Sequence, residues 1–150
     1  MSINDLFIKA NKLFLNQNYF EGLKVYEQVW VKYPKNIRLH EEINKQIQKY
    51  KKPISQTYSQ DQIEKFFQLE KYGLGSRVIK ELNENLKKKP NDILTISLLG
   101  SFYNLIKDYE KAVYFQKIAI KKSPLERAFY LNFSETLQNK GELEDATKIM

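Results

Sequence analysis

The side chains able to do chemistry are few and scattered. His40 is the single histidine, beside Glu41 and Glu42, and there is no cysteine or second histidine to share a metal with it. A protein-built zinc site takes three or four such ligands, so His40 reads as an exposed or half-buried helix histidine. The lack of cysteine also rules out disulfide staples, thiolate metal sites and a cysteine nucleophile. The acidic pairs Glu41-Glu42 and Asp108 with Glu110 have the spacing of solvated helix or turn positions. Glu142-Leu143-Glu144-Asp145 reads as the first turn of a helix, where the dipole favours negative charge. Gly73-Leu74-Gly75 is a two-glycine turn with no strand before it, which a phosphate-binding loop would need. No self-contained active site is expected, and no cofactor or metal.

Charge and aromatic content come next. The net charge of +7 is spread over the chain: residues 1–75 carry 12 basic and 8 acidic side chains, residues 76–150 carry 13 and 10. Only Arg38, Arg77 and Arg127 are arginine, the side chain that grips guanine and phosphate bidentately. Lysine, asparagine and isoleucine are abundant, as in proteins from AT-rich genomes, and nucleic-acid binding is the least favoured reading. The densest basic stretch runs over Lys32, Lys35, Arg38, Lys45, Lys49, Lys51 and Lys52, with Glu41 and Glu42 inside it. A solvated helix face and linker is its default; Lys45, Lys49, Lys51 and Lys52 are the candidates for docking an acidic partner. Of the ten tyrosines and nine phenylalanines, Phe20, Tyr26, Phe66, Phe67, Tyr103, Phe115, Tyr130 and Phe133 fall at core positions. Trp30 is expected to pack beneath the third helix.

The elements that must carry these residues are helices. Glycine and proline together number nine, too few for the closely spaced turns of a sandwich or barrel. Pro34, Pro90 and Pro124 each close a helical segment, and the last two are 34 residues apart. Twelve residues before each stands Gly22, Val78 or Ala112, and Ala146 follows Ala112 by another 34. In the clearest unit the first helix runs from about Asp92 to Ile106 and buries Ile96, Leu99, Tyr103 and Ile106. Lys107-Asp108 turns, and a second helix from Tyr109 to Lys121 presents Ala112, Phe115, Ala119 and Ile120. Small residues at Gly100, Ala112 and Ala119 let two helix axes approach closely. No apolar run nears the roughly 18 residues needed to cross a bilayer, and the amino terminus lacks the basic region of a secretory signal.

Leu99-Gly100, Tyr103, Asp108-Tyr109, Ala112, Ala119 and Pro124 resemble the signature of the tetratricopeptide repeat, a 34-residue helix-turn-helix unit. Leu6, Ala10, Leu13, Asn18-Tyr19, Gly22, Tyr26, Val29 and Pro34 repeat it. Tyr130, Leu137, Gly141, Leu143 and Ala146 begin it again. The unit over 59–90 is weaker: Asn85 stands where the family prefers alanine, and Gly73-Leu74-Gly75 loosens the turn. The resemblance implies an all-α solenoid of antiparallel helix pairs, about nine helices in all.

One helix between Pro34 and Ser59, roughly Asn36 to Tyr50, has no partner. The domain reading is therefore a first pair plus lone third helix over 1–50, a linker over 51–58, and an array over 59–150. Its units are about 59–92, 93–126 and 127–150, the last cut short. Ser59 with Gln62 reads as a capping box opening the array.

Function in such stacks lies on the concave wall made by the first helix of each pair. That face carries Ser97, Ser101, Asn104 and Leu105, then Leu131, Asn132, Glu135 and Gln138, with Gln60, Ile63, Phe67 and Glu70 from the weaker unit. The candidate peptide-binding groove is Ser97, Ser101, Asn104, Leu131, Asn132, Glu135 and Gln138. The resemblance implies a cytoplasmic, bacterial scaffold that binds protein or peptide and does no chemistry itself; the lysine clamp of chaperone-binding members is absent. Asn132 matches the groove asparagine of arrays attached to O-linked N-acetylglucosamine transferases. The alternative is the recruiting region of a larger sulfotransferase or glycosyltransferase, its catalytic domain following Met150.

Overall fold

The computed structural model describes residues 2–141. Those residues form eight helices and no strand: α1 (Ile3–Leu15), α2 (Tyr19–Lys32), α3 (Ile37–Tyr50), α4 (Gln60–Lys71), α5 (Gly75–Lys88), α6 (Ile93–Leu105), α7 (Tyr109–Lys122) and α8 (Arg127–Lys140). The chain is an all-α helical repeat, as expected. The ninth helix, foreseen near Leu143, lies outside the described residues.

The repeat is visible in its turns. After α1, α4 and α6 the chain reverses through the same hydrogen-bond pattern, in which the amides of Asn18, Leu74 and Asp108 donate to Leu13, Leu69 and Tyr103 carbonyls at 2.8–2.9 Å. One residue in each turn is left-handed: Gln17, Gly73 and Lys107, with φ of 62°, 80° and 67°. This is the Schellman closure, which satisfies carbonyls the helix end leaves free. Gly73 therefore makes the same tight turn as its counterparts and does not loosen it. The returns after α2, α5 and α7 are equally alike. Amides of Asn36, Asp92 and Glu126 donate to Tyr33, Lys89 and Ser123 carbonyls three residues back. Pro34, Pro90 and Pro124 stand second in these turns, where a fixed φ is already correct and no amide is required.

Two compact units divide between Lys52 and Pro53. In the first, α1 packs on α2 around Leu6, Ala10, Phe14, Val25, Tyr26 and Val29, with Ile43 of α3 fully buried. The Phe14 ring lies 5.3–5.9 Å from those of Tyr19, Tyr26 and Tyr50. α3 begins 34 residues after α1, so it is the first helix of a second repeat, with residues 51–59 in place of its partner helix.

In the second unit each helix packs on the next and α6 also meets α8. α6 is the hub: neighbours on several sides bury Thr95, Ile96, Leu98, Leu99, Gly100, Phe102 and Tyr103, which is why its sequence is apolar nearly all round. A Cβ at Gly100 would stand 2.7 Å from Gln116 Cγ of α7, the close approach expected there. Two positions depart from the sequence reading. Ile106, expected in the core, follows the last residue of α6 and is 40% exposed. Phe20, also expected inside, lies in the first turn of α2 and is 37% exposed, with Lys24 Nζ 4.4 Å above its ring.

Candidate functional site

The wall residues sit on α6 and α8, two first helices in direct contact. Ser97, Ser101, Asn104 and Asn132 are half-buried, and Leu131, Glu135 and Gln138 are exposed. Leu105 and Leu131 leave about two-fifths of their surface open, at 41% and 45%. Asn139 Nδ2 donates to Asn104 Oδ1 at 3.2 Å, tying the two helices. Asn132 gives only its backbone carbonyl, which accepts from Thr136 Oγ1 at 3.1 Å. Behind it Gln116 Nε2 of α7 donates to the same hydroxyl at 2.8 Å, leaving Gln116 Oε1 buried without a partner. Thus α7 positions α8 through one buried side-chain amide. Phe67, placed by its sequence both among the core aromatics and on the wall, stacks on Phe102 at 4.8 Å and joins α4 to α6.

The titratable groups singled out earlier serve the fold. His40 is half-buried, its Nε2 2.9 Å from the Tyr33 carbonyl, and its ring meets Trp30 edge-on at 6.3 Å. Since a carbonyl only accepts, Nε2 carries the proton. Asp108 caps α7 by accepting from the Lys111 amide at 3.4 Å, and Glu110 pairs with Lys140 at 2.8 Å. Glu142, Glu144 and Asp145 lie outside the described residues. Lys45, Lys49 and Lys52 are exposed and Lys51 half-buried, on and just after the last turns of α3, where positive charge suits the helix dipole. Lys49 Nζ donates to Gln46 Oε1 at 3.3 Å. Burial pushes the phenols of Tyr26 and Tyr130 up to about 12. They donate to Asn11 Oδ1 and to the Pro124 carbonyl. Among the described residues no three His, Asp or Glu side chains cluster to hold a metal, and no helix is long and apolar enough to cross a membrane.

One feature escaped the sequence reading. Tyr58, on the stretch read as linker, is buried and packs edge-on against Phe66 at 5.5 Å. Its hydroxyl accepts from Asn85 Nδ2 at 2.9 Å and lies 3.1 Å from Thr95 Oγ1. Thr95 Oγ1 donates to Asp92 Oδ2, and Thr57 Oγ1 to Asp92 Oδ1 at 2.7 Å. Because Thr95 has one hydroxyl hydrogen, Tyr58 must donate to it. The chain therefore runs one way, from Asn85 through Tyr58 and Thr95 to the Asp92 carboxylate, which also caps α6 through the Thr95 amide. The Asn85 amide holds the Tyr58 hydroxyl in place. These residues, with Gln62, Glu81, Lys88 and Lys89, line a cleft of about 260 Å³. The only signal in the sequence was Asn85 itself.

Compared with known protein families, the chain matches none. No curated protein matches it either.

Proposed function

We propose that the chain is a tetratricopeptide-type array that binds a peptide or protein segment on the wall formed by α6 and α8, without chemistry of its own. One observation carries this reading. The side chains of Ser97, Ser101, Asn132, Glu135 and Gln138 make no hydrogen bond among the described residues, and they flank the open Leu105 and Leu131. A row of uncommitted amides and hydroxyls around apolar contacts suits an extended backbone, which offers alternating donors and acceptors. α6 itself has no charged residue, so recognition there depends on hydrogen bonding and apolar contact. A cytoplasmic setting accords with a chain that carries no cysteine.

The test is selection from a displayed peptide library, followed by titration of the selected peptide. Asn104→Ala with Asn132→Ala should weaken binding at least about tenfold, the loss of one to two hydrogen bonds left unmade, while far-ultraviolet circular dichroism stays unchanged. Equal binding by the double variant sinks the assignment to this wall.

A further inference from the structure

Charge in the second unit is sorted by helix. α6 carries none, whereas α5 holds four basic residues to two acidic and α7 four to one. Five lysines gather where these second helices end: Lys87, Lys88 and Lys89 at α5, and Lys121 and Lys122 one 34-residue period later at α7. All five are exposed. Lys122 Nζ reaches Asn91 Oδ1 at 3.0 Å, two residues beyond Lys89, so both runs meet at one end of the unit. Among the described residues none of the five has an ion-pair partner. A helix dipole favours cations in and just after a last turn; the cleft beside Lys88 and Lys89 is a further feature of this end.

That cleft opens beside Lys88 and Lys89 and contains two amides with hydrogens to spare. Asn85 Nδ2 uses one of its two on Tyr58. Gln62 spends only its oxygen, on the Ser59 amide at 2.8 Å. Glu81 and Asp92 are the opposing charges lining the cleft, the Asp92 carboxylate being buried and accepting from both Thr57 and Thr95.

We propose that this lysine end docks an acidic segment of a partner protein, with one carboxylate side chain entering the cleft between the Lys88 and Lys89 ammonium groups and the Asn85 and Gln62 amides. The surface belongs to the ends of α5 and α7 and is independent of the α6–α8 wall. A nucleic acid fits it less well. None of the five is an arginine, and single strands need rings on which bases stack. Of the exposed rings in this unit, Tyr72 lies at the other end of α5, and Tyr114 is about two turns from Lys121.

The measurement is fluorescence anisotropy of a labelled deca-glutamate peptide titrated with the full chain. Binding should weaken several-fold between low and physiological ionic strength. Lys88→Gln, Lys89→Gln, Lys121→Gln and Lys122→Gln together should weaken it at least about tenfold, as removal of a steering patch does. Lys9→Gln, Lys12→Gln, Lys71→Gln and Lys107→Gln together, with the same net charge, should stay within about twofold of the original. All eight lysines are exposed, and circular dichroism checks that both variants remain helical. Equal losses in the two variants, no detectable binding of the peptide, or tighter binding of a ten-nucleotide oligouridylate would each overturn the proposal.

Discussion

At Gly100 a helix-favouring substitution meets a packing constraint, and the magnitudes decide which wins. Alanine gains about 1 kcal/mol in helix propensity over glycine. Its methyl would press to 2.7 Å on Gln116 Cγ, and Gln116 is 3% exposed and held by its bond to Thr136. Overpacking of this kind costs about 1–3 kcal/mol. Gly100→Ala should therefore lower stability by up to about 2 kcal/mol in urea unfolding; a stabilised variant would show that Gln116 can yield. Gly73 is a contrasting case, with nothing within 4 Å of its would-be Cβ but a φ of +80°. There the requirement is backbone conformation, which Gln17 and Lys107 meet at a cost. Gly100 was legible from the sequence as a contact between helices. The reason for Asn85 was not, because its partner is 27 residues away on a segment without periodicity.

Among the elements, the segment before α4 is the one whose role changed most. Residues 51–58 are non-helical, yet the last two of them bind the start of the array through Thr57 and Tyr58. An end of a repeat stack lacks a neighbour to cover its core and needs a cap; Tyr58 supplies apolar cover over Phe66 and a hydrogen bond at the same time. Tyr58→Phe removes a hydroxyl that makes two of the network's bonds, and should cost about 1–2 kcal/mol. Asn85→Ala should cost about 0.5–1 kcal/mol. Combined, they should cost about 0.5–1 kcal/mol less than the two single losses together, since both break the same bond. Strict additivity in the double-mutant cycle would mean that the Asn85–Tyr58 bond contributes nothing.

Across the whole molecule, each unit contains one tyrosine whose burial raises its phenol pKa to about 12: Tyr26 in the first and Tyr130 in the second. An unfolded tyrosine titrates near 10. A pKa raised by folding means that the folded state holds the proton more tightly. The associated stability is complete below about pH 10 and is lost as pH rises through about 12. Absorbance at 295 nm should show a late tyrosine fraction, ionising near pH 12 as the helical signal is lost. Replacing Tyr26 and Tyr130 by phenylalanine should remove that late fraction. If all tyrosines of the original chain ionised together while it stayed helical, neither ring would be buried as described.

Local and periodic information determined the helices, their turns and the repeat. Prolines 34 residues apart stop helices whatever surrounds them, Ser59 and Gln62 cap α4 with neighbours three residues away, and the apolar spacing sets each inward face. That information also brought the wall residues of α6 and α8 to one surface, because helices one period apart repeat the same face. Tertiary structure alone decided the contacts that break the period. Tyr58 closes onto Asn85 and Thr95, and Lys122 brings its run of lysines beside Lys89. Such contacts depend on where separate segments meet in space, and no spacing along the chain encodes that distance.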